Sequence, residues 1–162
     1  MFDAYLKIGG VPGESTADGY KEQIEILSYS HGVTQPSAAS ASSSGGATTG
    51  RCEHQDFTIV KELDKASPLL AQLCCQGKHI PEIVLTLVRA GGDKPVPFME
   101  YKLTEAIISS YAPSGSKEGL PVESVSFNYG KIEWTYVQQK RADGSGGGKT
   151  TGAWNLVTNA VK

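Results

Sequence analysis

Apolar and polar positions alternate along most of this chain, the two-residue period of a half-buried strand. Residues 2–8 set Phe2, Ala4, Leu6 and Ile8 on one face and Asp3, Tyr5 and Lys7 on the other. In 23–33 the pattern begins with Ile24 and Ile26, then slips to Leu27 and Tyr29. Such a slip predicts a bulge, or a strand passing between two environments. Residues 52–63, 80–90, 97–112 and 122–139 read as four further strands, with Gly130 predicting a bulge or bend in the last. A seventh is expected around Trp154 to Val157. One helical stretch, 67–77, lies between the third and fourth strands. Ser67 is its expected N-cap, Pro68 suits the first helical position, and Gly77 supplies a left-handed end. Leu69, Leu70, Leu73 and Cys74 form its apolar stripe.

These elements predict a mainly β fold: an antiparallel β-barrel of about seven strands, one short α-helix packed on its side, and an extended loop. The 162 residues suit one domain, 1–162. Some strands are apolar on both faces. Ile83, Leu85 and Leu87 share one side while Val84 and Val88 lie on the other, and 134–137 is similarly two-sided. The surplus outward surface is expected to be covered by neighbouring subunits. Residues 37–50, SAASASSSGGATTG, hold no side chain large enough to anchor in a core. They are either a flexible surface loop or an arm that orders against another protein.

Composition narrows the classes. At 39% hydrophobic, 20% charged and net charge −2 the chain resembles an ordinary soluble protein. No basic stripe points to nucleic acid and no polybasic amphipathic helix to membrane insertion. The opening MFDAYLKIGG lacks the apolar core and cleavage site of a secretory signal, so a cytoplasmic origin is expected. Three cysteines, an odd number, oppose a disulfide framework.

Four features of the sequence bear on chemistry. The run GSGGGKT at 144–150 resembles a phosphate loop, but Asp143 stands where its first glycine belongs, and strand-like residues follow instead of a helix. The glycine run is expected to lie in a flexible connection between two strands. Cys52 and His54 share a strand face, with His31 and His79 as possible companions, yet no zinc-ligand spacing is present. Ser114 to Lys117 matches S-x-x-K in a turn-rich loop, not at a helix start, and there is no nucleophile elbow. Glu22, Glu25, Glu53, Asp56, Glu100 and Glu105 alternate with apolar residues, the pattern of a solvated face. No enzyme, cofactor or metal is expected.

The blocks YLKIGGVPGES (5–15), IEILSYSHGVTQ (24–35), KELDKASPLLAQLCCQGKHIPEIVLTLVRAGG (61–92) and GAWNLVTN (152–159) occur in an order that resembles the haemolysin-coregulated protein (Hcp) family of bacterial type VI secretion. The resemblance spans essentially the whole chain. It implies a homohexameric ring that stacks into a hollow tube and carries or chaperones effectors. It also implies a spike protein and a contractile sheath as partners, and export from the cytoplasm by the secretion system. It turns the 33–50 stretch into an arm reaching an adjacent ring, with Val33, Thr34, Gln35, Pro36, Ser42, Ser43, Gly45 and Gly46 as its residues. It places Ser30, with Ser28 beside it, on the lumen wall. Tyr29 and His31 depart from the larger aromatics that relatives often show, so cargo preference does not carry over. A phage-tail-tube-like subunit and a monomeric barrel holding a small ligand stand as alternatives.

Overall fold

A computed structural model describes residues 1–36, 50–89, 94–143 and 146–162. The fold is mainly β and antiparallel with one short helix, as expected, although the described residues form eleven strands rather than seven. In chain order they are β1 (Asp3–Ile8), β2 (Ile24–Glu25), β3 (Ser28–Ser30), β4 (Val33–Thr34), β5 (Glu53–His54) and β6 (Phe57–Glu62). Helix α1 (Ser67–Gln76) follows, then β7 (Ile80–Arg89), β8 (Val96–Ser114), β9 (Val122–Asn128), β10 (Lys131–Gln139) and β11 (Gly146–Asn155). The extra strands arise where single predicted ones are broken. Residues 23–33 split into β2, β3 and β4, and 122–139 into β9 and β10.

The hydrogen-bonded order runs β2-β1-β7-β8-β9-β6-β3, with β10 on β8 and β11 on β10. That path is not closed by a ladder. Among the described residues the expected barrel is therefore an open sheet, whose two ends are linked by the chain between them: Ile26 N–H donates to Ala4 of β1, and the next residue, Leu27, donates to Val60 of β6. The slip in the 23–33 pattern is therefore a crossing between environments, with Ile24 and Ile26 buried and Leu27 exposed.

β8 is long enough to serve both halves of the sheet. Thr104 pairs with Lys131 of β10 and Ile107 with Asn128 of β9, so the partner strand continues in one register past an interruption. The interruption is a bend at Gly130, whose N–H reaches the carbonyls of both Thr104 and Glu105. Glu105 opposite it has φ 52, a strained conformation for a side chain with a Cβ. Leu6, Ile24, Phe57, Ile59, Ile83, Leu85, Leu103, Phe127 and Ile132 fill the space between the halves.

Helix α1 lies against β8. Leu70 is fully buried, Leu73 and Cys74 pack at the core margin, and Leu69 remains exposed. Gly77 ends the helix at φ 58, its N–H returning to Cys74. The expected cap at the other end is corrected: Ala66 is the N-cap, and among the described residues no side chain caps the helix. Ser67 is its first residue, and its hydroxyl donates to the carboxylate of Glu123 at 2.9 Å. A buried carboxylate without a donor is costly, and the hydroxyl is turned toward Glu123.

Two further expectations are revised. Glycines 146–148 do not lie in a flexible connection, because Gly146–Asn155 is a ten-residue strand paired with β10 from Lys131 to Gln139. Part of the outward surface of β1 and β7 is covered by the chain itself. Tyr20, from the 9–23 connection, stacks on Tyr5 with ring centroids 4.6 Å apart, and Tyr5 faces Thr86 across the strand pair. No helix among the described residues is long and apolar enough to cross a membrane.

Candidate functional surface

Strand β3 sorts its side chains by alternation. Tyr29 points inward, stacks on Phe57 at 5.9 Å, and its hydroxyl lies 3.1 Å from that of Tyr101. Burial, and the hydrogen bond with Tyr29, raise the proton affinity of the Tyr101 phenol. Ser28 and Ser30 face the other way and are exposed. Their neighbours follow from register. Ser30 lies opposite Thr58, Thr58 opposite Ser126, and Ser126 opposite Ser110. Thr58 and Ser126 join hydroxyls at 2.9 Å. The adjacent row is Ser28, Val60, Ser124 and Ala112. Four strands at about 4.8 Å spacing thus give a wall roughly 14 Å wide of small, uncharged side chains. Sequence reasoning found two of these residues. The rest were legible only as alternate positions of FTIVKE, VESVSFN and the end of β8, whose partners the chain order does not reveal.

Beyond β3 the chain leaves the sheet as a two-stranded ribbon. Val33 pairs with His54 and Thr34 with Glu53. Gln35 reaches the carbonyl of Gly50 at 2.5 Å, and Gly50 N–H returns to Pro36 at 3.3 Å. Gly32 sits at the root, where a Cβ would come within 2.6 Å of the Gln55 side chain. Val33, Thr34, Gln35 and Pro36 are all exposed on this ribbon. Ser42, Ser43, Gly45 and Gly46 lie outside the described residues.

The histidines are partly brought together. His31 Nε2 lies 2.5 Å and His54 Nδ1 2.9 Å from the hydroxyl of Tyr129, a hub the sequence reading missed. Burial lowers the proton affinity of both imidazoles, and His54 lowers that of His31 further. Burial and the nearby Asp56 push the Tyr129 phenol up. Among the described residues no three His, Cys, Asp or Glu side chains are grouped to hold a metal ion, and Cys52, Cys74 and Cys75 are free thiols.

A second polar cluster was also missed. Lys61 and Glu123 are fully buried and joined at 2.7 Å. Lys61 also meets Asp64 at 2.8 Å, and Tyr111 donates to Glu123. The signal was present: each charge occupies an inward slot, Lys61 after Phe57 and Ile59, Glu123 before Val125 and Phe127.

A family profile described as "Type VI secretion system effector, Hcp" matches residues 5–136. The chain belongs to the Hcp family. It is 34% identical over 158 residues to Protein hcp1 of Pseudomonas aeruginosa, covering 97% of this chain and 96% of that one. It is 27% identical over 133 residues to the Major exported protein of the same organism, covering 76% of this chain and 74% of its relative. A solved structure described as that of a type six secretion system protein superposes with a TM-score of 0.93 at 35% identity, covering all of both chains. The order of motifs that pointed to Hcp is thus matched along nearly the whole length.

Proposed function

We propose that this Hcp chain is a tube subunit of a type VI secretion system. Six copies close into a ring, rings stack into a hollow tube, and the small-residue wall faces its lumen. Ser30 and Ser28 are the wall residues on β3, extended by Thr58, Ser110, Ser124 and Ser126. The uncharged, four-strand wall is the observation that carries this reading. A conduit or carrier for varied proteins needs a surface that neither grips one charge pattern nor presents large apolar side chains. The exposed ribbon through Val33, Thr34, Gln35 and Pro36 is the part that reaches an adjacent ring. Its effectors, the spike and the sheath are protein partners, and the role is structural and carrying rather than catalytic. A cytoplasmic pool is exported through the secretion machinery.

The interior favours this over a ligand-holding barrel, because Phe57, Ile59, Phe127 and Ile132 fill it with side chains. Phe2, Leu27, Leu63 and Leu120 remain exposed around one hollow of about 530 Å³, apolar surface suited to burial against another copy. Native mass spectrometry and electron micrographs of the purified protein test the proposal. Six copies and uniform rings with a central opening support it; a stable monomer or a twofold dimer overturns it.

A further inference from the structure

The ribbon root is tied to the sheet by three polar rings that the tube reading does not use. His31 leads into β4, His54 belongs to β5, and Tyr129 sits at the bend between β9 and β10. Each side of the ribbon thus offers one imidazole to a single phenol, which is itself 6% exposed. His31 stacks on Phe57 at 5.3 Å, and His54 meets Tyr129 edge-on.

A phenol has one proton to give and lone pairs to accept with. With both imidazoles neutral, Tyr129 donates to one ring nitrogen and accepts from the N–H of the other. One added proton makes both nitrogens donors, and the phenol hydrogen must turn toward the Gln55 carbonyl, 3.5 Å away. A second proton places two cations with ring centroids 6.3 Å apart. Charged and titratable groups of both signs surround them. Asp56 is already held by Ser109 and Asn128. Glu105 and His79 line a shared hollow with His54, while Arg51 and Cys52 line another. Glu53 lies on the exposed side of β5. Among the described residues neither imidazole forms an ion pair.

We propose that His31, Tyr129 and His54 form a proton-operated latch that holds the ribbon root on the sheet while both imidazoles are neutral and frees it when both are charged. Because folding lowers the proton affinity of both rings, their contribution is complete above the ordinary imidazole value of about 6.5 and is lost as pH falls through the lower folded values. The latch is a property of one protomer and does not depend on ring formation.

Hydrogen exchange by mass spectrometry on the full chain, at about pH 7.5 and about pH 5 and corrected for intrinsic rates, tests it. Peptides covering 31–36 and 50–55 lose protection roughly tenfold or more in acid, while those in β1 and β7 keep theirs. In His31→Phe with His54→Gln the acid loss disappears. Tyr129→Phe, which keeps the ring and removes the hydroxyl, loosens the same peptides already at neutral pH. Equal protection of the wild-type ribbon at both pH values overturns the latch, as does acid loosening shared with β1 and β7. Acid loosening that survives in the double variant also overturns it. Should that variant not fold, unchanged neutral-pH protection in Tyr129→Phe decides against the latch.

Discussion

Two opposite charges stand in slots that strand alternation reserves for apolar side chains. Removing one partner leaves the other buried without its counter-charge, so Lys61→Met is expected to destabilise by about 3–5 kcal/mol in urea unfolding. Adding Glu123→Leu recovers most of that loss, because a buried ion pair contributes little beyond its own desolvation cost. Recovery stays incomplete, since Ser67 and Tyr111 then lose an acceptor. Burial raises the proton affinity of Glu123, but the donors Lys61, Tyr111 and Ser67 more than offset it and hold its carboxyl below the usual range. The matching effect on Tyr111, first from burial and then from its bond to Glu123, pushes its phenol up to about 12. A depressed carboxyl stabilises above its unfolded value of about 4.3 and ceases to as pH falls through the folded one. Glu123→Gln therefore flattens the acid limb of a stability–pH profile, checked by urea midpoints between neutral and acid buffer. Both residues were visible as breaks in the apolar period of their strands. That they meet was not visible, because 62 residues separate them in sequence.

Helix α1 shows how a correct element can carry a misread detail. Its span and its Gly77 end follow from local rules that act within a few residues. The role of Ser67 does not, since its partner Glu123 arrives from β9. The two roles predict opposite outcomes for Ser67→Asp. An N-cap tolerates Asp, whereas a carboxylate beside Glu123 is repelled, so the variant is expected to lower stability by about 2 kcal/mol or more in thermal melts. The bend in the β8 hairpin divides in the same way. Gly130 announced a bulge or a bend, but only the paired strand shows Glu105 in the left-handed region opposite it. The glycine run at 146–148 was misread because isolated glycines favour loops, while pairing with β10 along most of its length holds that segment extended.

On the scale of the whole molecule, the two faces of sheet residues become two kinds of surface. Ser30→Arg puts a charge on the small-residue wall without touching the core, so stability changes by less than about 0.5 kcal/mol. Under the proposed function, rings still form while effector retention and secretion fall, read by co-purification and by protein in the culture medium. Unchanged retention counts against Ser30 in the lumen. A complementary outcome is expected at the apolar hollow. Leu27→Glu and Leu120→Glu leave the protomer folded, because both side chains are exposed, but lower the share of hexamer in native mass spectra.

The sequence by itself determined the mainly β architecture, the helix at 67–77, a break in the pattern of 23–33 and the opposite settings of Tyr29 and its neighbours Ser28 and Ser30. Each depends on a period of two or on residues within one turn of each other, and the order of its motifs marked the family. The tertiary structure decided which strands lie side by side. It joined Ser30 to Thr58, Ser126 and Ser110 as one wall, Lys61 to Glu123 as one buried pair, and His31 to His54 through Tyr129. Those groupings arise from register between strands tens of residues apart, and alternation along one strand sets its faces without naming its neighbour.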